Sequence, residues 1–189
     1  MSYQILKEKD YKINYWVGGE TSELYIYPEG SNLKERDFDF RISSAVCNEG
    51  ENKFSDFSGY IRYITPLNAE LELLDEGKKI NLKPFEIYQF DGSDEVISKS
   101  QVKDFNLILK KGLTGSLRSE TVEGISKFKI SGGINLIYNF SEKLRFKACG
   151  KESILEPGDS IIFGKDEIII ELEPCVSKST NILVVEVEI

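Results

Sequence analysis

The chain has 189 residues, 40% hydrophobic and 30% charged, with a formal net charge of −8 and no histidine. That length suits one compact domain or two small fused ones with a real core, and the acidic balance argues against nucleic acid or an anionic membrane as partner. Without histidine, Ser-His-Asp and Cys-His catalysis and His-based zinc, iron and copper sites are excluded, so neither a transition metal nor another cofactor is expected.

Along the chain, MSYQILKEKDYK is charged from residue 7 and lacks the apolar run of a signal peptide. No run of about 18 apolar residues spans a membrane. WVGGET (16–21) places a Gly-Gly turn after the only tryptophan. A strand rather than a helix follows, which disfavours a phosphate cradle. TSELYIY (21–27), FDFRISSA (38–45), YIRYITPL (60–67), AELELL (69–74), FEIYQF (85–90) and FNLILK (105–110) read as strands. So do GINLIYNF (133–140), SIIFG (160–164), EIIIELE (167–173) and NILVVEVEI (181–189). All are short, rich in β-branched or aromatic residues and punctuated by Gly, Pro, Asn and Asp, the pattern of a sandwich or barrel. No helical period of ten or more residues stands out. Cys47, Cys149 and Cys175 are an odd, unclustered set that reads as free thiols of a reducing, cytoplasmic compartment.

The chain carries an internal repeat. LKPFEIYQF (82–90) and LEPGDSIIF (155–163) match at an offset of 73 residues, which also places Gly59 on Gly132, Ile64 on Ile137 and Leu71 on Leu144. The expected organisation is a duplicated β-unit, residues 1–110 and 111–189, packed as one compact whole. The halves differ in chemistry. INLIYNF, IIF, IIIEL and ILVVEV are apolar on nearly both faces, as in strands buried on both sides. Strands of the first half alternate, with Thr21 and Glu23, Arg41 and Ser43, Arg62, and Asp104 and Asn106 on their polar faces.

Those polar faces are either solvated or line a cavity. Arg41 and Arg62 each sit mid-strand among apolar neighbours, placed either for a structural ion pair with Asp39, Glu23 or Asp104, or to clamp an anionic small molecule. Asp104 and Asn106 are residue types that strands disfavour, on one face of one strand. Glu23, Asp39 and Asp104 could also supply a carboxylate pair for acid–base work, though no spacing fixes their separation.

An ordered set of residues resembles the bacterial HutD/Ves family. It runs Trp16-x-Gly18-Gly19-x-Thr21-x-Glu23-Leu24, Pro28, Phe38-x-Phe40-Arg41-Ile42-Ser43-x-Ala45, Phe54-Ser55-x-Phe57-x-Gly59-x-x-Arg62, Phe90-Asp91-Gly92 and Asp104-Phe105-Asn106-Leu107. The resemblance covers roughly residues 14 to 110. It implies an all-β bicupin, two cupin-like double-stranded β-helix barrels in one chain, which agrees with the repeat. It also implies a link to histidine utilisation or stress, with a formylated or formiminated glutamate as the suggested ligand of the former branch. Thr21, Glu23, Arg41, Ser43, Arg62, Asp104 and Asn106 would then surround one pocket, with Trp16, Phe40 and Phe90 in its wall. Two departures matter. Many relatives carry Trp-x-Asn-Gly-Gly-Gly-x-Thr where this chain has the shorter WVGGET, and the histidines of metal-binding cupins are missing.

The expected function is therefore non-enzymatic or regulatory binding of a small anionic metabolite by a cytoplasmic monomer or homodimer. The rivals are a metal-independent isomerase or hydrolase with Glu23 or Asp104 as base, and a ligand-free assembly domain.

Overall fold

A computed structural model of the chain describes residues 3–48, 50–130 and 132–189. The fold is all-β, with no α-helix among those residues. The chain divides into two units, Tyr11–Leu113 and a second one formed by residues 3–10 with 114–189.

Strand β1 (Tyr3–Leu6) opens the chain, and a single 3-10 turn (Glu8–Asp10) follows. The first unit then holds β2 (Lys12–Trp16), β3 (Gly19–Tyr27), β4 (Phe40–Cys47), β5 (Asn52–Lys53), β6 (Tyr60–Pro66), β7 (Leu71–Asp75), β8 (Lys78–Leu82), β9 (Tyr88–Asp91), β10 (Val96–Ser98) and β11 (Val102–Lys110). The second holds β12 (Gly115–Glu123), β13 (Ser126–Ile130), β14 (Ile134–Asn139), β15 (Leu144–Ala148), β16 (Lys151–Leu155), β17 (Ser160–Phe163), β18 (Ile168–Pro174) and β19 (Ser179–Val187).

Each unit is built on the same plan. The first has a six-stranded sheet, β2-β3-β4-β11-β6-β9, and a four-stranded one, β5-β10-β7-β8. The second has β1-β17-β14-β19-β12 and β13-β18-β15-β16. Adding eight to each strand number turns β4-β11-β6-β9 into β12-β19-β14-β17 and β5-β10-β7-β8 into β13-β18-β15-β16. The 73-residue offset read from the sequence has a structural counterpart at each marker. Leu71 pairs with Leu82 at one end of the β7–β8 hairpin, and Leu144 with Leu155 in the β15–β16 hairpin. Ile64 and Ile137 are both fully buried. Gly59 and Gly132 both have positive φ, a conformation that favours glycine.

Residues 3–10, which no sequence pattern separates from the first half, belong with the second unit. Strand β1 adds to its edge, pairing Tyr3 with Phe163 and Leu6 with Ser160. Tyr3 and Ile5 pack on that unit's core, and Lys7 Nζ donates to Asp159 Oδ2 at 2.7 Å.

The two-sided burial expected of the second-half strands holds for β14 and β17, every residue of which is buried. It fails for β18, where Ile168, Ile170 and Leu172 are buried but Ile169 is 64% exposed. Ile169 lies opposite Lys129 of β13 on a charged outer face, so this strand needs only one apolar side.

In the first unit, Ile64, Tyr88 and Phe90 share a face of the large sheet and pack against Leu71, Leu73, Leu82 and Val96 of the small one. That same face carries the polar residues singled out above, and its apolar cluster anchors the sheet on which they stand.

Candidate functional site

Pairing across β4, β11, β6 and β9 aligns side chains in rows, because directly opposite residues of antiparallel strands share a face. One row runs Arg41, Ile108, Arg62, Phe90, and the next runs Ser43, Asn106, Ile64, Tyr88. A third places Ala45 beside Asp104. Strand β3 adds Thr21 opposite Ala45 and Glu23 opposite Ser43. A register shift between Glu23 and Tyr25 then turns the following residues, so Tyr25 lies opposite Ile42 on the other face.

These rows border a cavity of about 360 Å³. Thr21, Arg41, Ser43, Arg62, Asp104 and Asn106 all line it, so the cavity alternative for the polar faces is the observed one. Arg41 is only 4% exposed. Its Nε donates to Glu23 Oε2 at 2.7 Å and its Nη1 to Ser43 Oγ at 3.1 Å, while the buried Nη2 has no partner among the described residues. Glu23 thus serves as the carboxylate behind the guanidinium rather than as part of the lining.

Arg62 is held differently. Its guanidinium carbon lies 4.8 Å from the ring centre of Phe54, 5.1 Å from Phe90 and 5.5 Å from Phe57. Such stacking on ring faces orients a guanidinium and favours its charge. Nη1 donates to the Ser55 carbonyl at 3.3 Å, and the buried Nε has no partner among the described residues. Burial pulls this guanidinium down to about 10, opposed by the charge of Asp104 and reinforced by Arg41, which still leaves it cationic at neutral pH.

Asp104 is 2% exposed. Burial drives its carboxyl up to about 7, against hydrogen bonding from Asn106, the charge of Arg62, and contacts with the Cys47 thiol and the Ala45 backbone amide. Asn106 Nδ2 donates to Asp104 Oδ1, and Cys47 Sγ lies 3.8 Å from Oδ2. Burial and the neighbouring Asp104 push the Cys47 thiol up to about 12, so it stays protonated.

Of the three wall residues, Trp16 lines the cavity and donates from Nε1 to Thr21 Oγ1 at 3.1 Å. The Gly-Gly turn serves this arrangement. A Cβ on Gly19 would stand 2.0 Å from the Val46 carbonyl oxygen and 2.9 Å from the Trp16 ring. Phe90 backs Arg62 instead of facing the cavity directly. Phe40, expected in the wall, is on the opposite face, where it stacks on Tyr27 at 5.5 Å. It immediately precedes Arg41, and strand alternation sends the two apart.

Sequence reasoning missed the roles of Phe54, Ser55, Phe57 and Cys47. Cys47 continues the 41, 43, 45 alternation, a signal that was there to find. Phe54 and Phe57 lie outside the extended strands and have no periodicity to reveal them, although both stand in the motif that carries the family resemblance. Among the described residues, no group of three or more His, Cys, Asp or Glu side chains could hold a metal ion. The donor set of metal-binding cupins does not fit a chain without histidine.

The arrangement of two stacked sheets per unit is one met in solved structures of cupin-like proteins. A cupin 2 conserved barrel domain protein from Leptotrichia buccalis matches with a TM-score of 0.64 and 12% identity, over 98% of this chain and 96% of that one. A conserved protein of unknown function from Pseudomonas aeruginosa PAO1 matches with a TM-score of 0.87 and 23% identity over the whole of both chains. HutD from Pseudomonas fluorescens SBW25, solved in a formate condition, matches with a TM-score of 0.78 and 23% identity over 99% and 98%. The protein is therefore all-β with a cupin-like fold. The HutD family model matches residues 8–183, and the chain belongs to that family. Among curated proteins, no match is found.

Proposed function

We propose that this HutD family protein is a bicupin whose first unit holds a small anionic metabolite, in a binding or regulatory role rather than a catalytic one. The shared strand order of the two units supports the bicupin reading. One observation carries the ligand reading. Two buried guanidinium groups border a single cavity, and each has a buried nitrogen without a hydrogen-bond partner among the described residues, Nη2 of Arg41 and Nε of Arg62. An unpaired buried donor is costly, and a ligand carboxylate or similar anion would satisfy both. Ser43, Thr21 and Asn106 supply neutral hydrogen-bonding groups around it. Formylated or formiminated glutamate is the first ligand to test, in keeping with the family's link to histidine utilisation. Three free cysteines favour a cytoplasmic setting.

The test is calorimetry beside a melting curve with these glutamate derivatives. Arg41→Lys keeps the charge but loses the planar fork, and it should weaken binding by about 1.5 to 3 kcal/mol, the scale of a charge-assisted hydrogen bond. A variant that melts normally and binds as tightly as the parent would remove Arg41 from the site.

A metal-independent enzyme is the second reading, favoured by the carboxyl of Asp104 at about 7, a value suited to proton transfer near neutral pH. Asp104→Asn separates the two readings. It should spare binding in a binding protein and abolish turnover in an enzyme. An assembly domain would present exposed aromatics away from any pocket, whereas the exposed Tyr15 and Trp16 border this one.

A further inference from the structure

We propose that Arg62 supplies the charge that draws the ligand in, and that Asp104 takes up a proton as the ligand's anionic group arrives, so the protein binds an anion and a proton together. This rests on the anion-binding reading above.

The two arginines are not equivalent. The charge of Arg41 is matched by Glu23 at 2.7 Å, with side chains 5% and 11% exposed. Arg62 has no ion-pair partner among the described residues, and its contacts are three phenyl rings and a carbonyl oxygen. Its unmatched charge faces the same cavity as Asp104, the acidic group whose charge acts on it. Arg41 thus contributes geometry and Arg62 contributes net charge.

Count the charges around the cavity. From β3 and β4 come Glu23 and Arg41, which cancel, and the neutral Cys47 thiol. From β6 comes Arg62, and from β11 Asp104. Lys53 of β5 lines the cavity but is more than half exposed and is paired with Glu95 at 3.0 Å. With Asp104 ionised, the buried site is neutral. With Asp104 protonated, it carries one positive charge. An incoming anion beside Arg62 adds a negative charge next to Asp104 and occupies the cation that had favoured its ionised form. Both effects drive a proton from solvent onto an Asp104 oxygen. No bond of the ligand breaks. The site then holds one anionic group at depth against one cation, with Asp104 able to donate a hydrogen bond.

The experiment is calorimetry on the full chain with two probes, sodium formate and N-formyl-L-glutamate. Their carboxylates are ionised throughout the range from about pH 6 to about pH 8. Each titration is run in two buffers of different ionisation enthalpy, which reports protons taken up. The affinity of the parent should fall roughly tenfold per pH unit above about 7. Its complex should take up close to one proton at about pH 8. Asp104→Asn, a mimic of the protonated carboxyl, should show a flat profile and bind at about pH 8 at least as tightly as the parent does at about pH 6. Affinity that is equal at both ends of the range, or an Asp104→Asn protein that keeps the parent's slope, overturns the linkage and leaves the anion-binding reading standing. If Asp104→Asn fails to fold, the parent decides alone, since a complex formed without proton uptake overturns the proposal. Absence of binding by both probes at every pH overturns the proposal and the reading beneath it.

Discussion

The two units use one strand plan for opposite interiors. Equivalent positions follow from the pairings. Asn106 lies opposite Ile64, and Val184 lies opposite Ile137. Asp104 lies opposite Pro66, and Ile182 opposite Asn139. Where the first unit has Asp104 and Asn106, the second therefore has Ile182 and Val184, both joined to a core with Ile137, Phe146, Phe163 and Leu172. Where the first has Arg62, the second has Asn135, whose side-chain amide turns to the Gly132 carbonyl at 2.7 Å. Phe90 and Phe163 occupy matching places in both. A shared framework thus tolerates either a packed apolar interior or a polar cavity. The cavity carries the buried charges and unmet donors that a solid core avoids, which is where a functional site departs from the rules of stability.

Exchanging the two interiors is the harshest way to probe this contrast. Ile182→Asp puts the first unit's carboxylate into the second, where no partner waits. It should cost more than about 4 kcal/mol, read as a collapse in soluble yield and in the urea unfolding midpoint. A soluble protein with the parent's midpoint would show that the second interior accepts charge as readily as the first.

Cutting the ion pair behind the cavity comes next. Glu23→Ala leaves Arg41 buried without its carboxylate and should cost about 3 kcal/mol in urea unfolding, the scale for breaking a buried pair. A loss below about 1 kcal/mol would mean that the guanidinium finds another acceptor.

Asp104 offers a pH test that the second unit, with Ile182 there, cannot show. Burial raises this carboxyl to about 7, so the folded protein holds its proton more tightly than the unfolded chain. Its contribution is fully present below the ordinary carboxylate range and is lost as pH rises from about 4 to about 7. Over that window the parent should lose up to about 1.4 kcal/mol per pH unit from this group. Asp104→Asn should remove that part of the slope and melt higher than the parent at about pH 8. Parallel profiles of melting temperature against pH would refute the assignment.

The smallest effect concerns Tyr88, which occupies the place of Ile161. Its hydroxyl donates to Asp75 Oδ2 at 2.5 Å. Tyr88→Phe should cost about 1 kcal/mol and leave ligand affinity unchanged. An equal loss in affinity would extend the site toward β9.

How much of this was legible follows from how strongly each segment's pattern spoke. FDFRISSA alternated cleanly, and so the face shared by Arg41 and Ser43 could be read from the sequence. Apolar strands such as β14 and β19 were plain for the same reason. Strands β8, β15 and β16 were not, because KKINL, LRFKA and KESIL each carry two charges in five residues, and outward faces here form ion-pair ladders such as Arg145 with Glu152 and Glu173. Glu23 was visible as one of three candidate partners for Arg41, and only pairing across β3 and β4 selected it. The phenylalanine cage around Arg62 was hidden because two of its rings come from a connection, where composition carries no direction. Strand β1 was hidden because its partner lies more than 150 residues away, beyond the reach of any local pattern.

That distant pairing has a consequence for the order in which the molecule is made. Tyr3–Leu6 leaves the ribosome before every strand of the first unit, and its partner Ser160–Phe163 leaves after all of them. All the strands of the first unit emerge in between, so they can pair before the second unit's sheet is complete. Until β17 arrives, β1 is an unpaired strand. A change in β1, such as Ile5→Pro, would therefore wound a strand more than 150 residues further on, exposing β17 as an open sheet edge while leaving the cavity-bearing unit to fold.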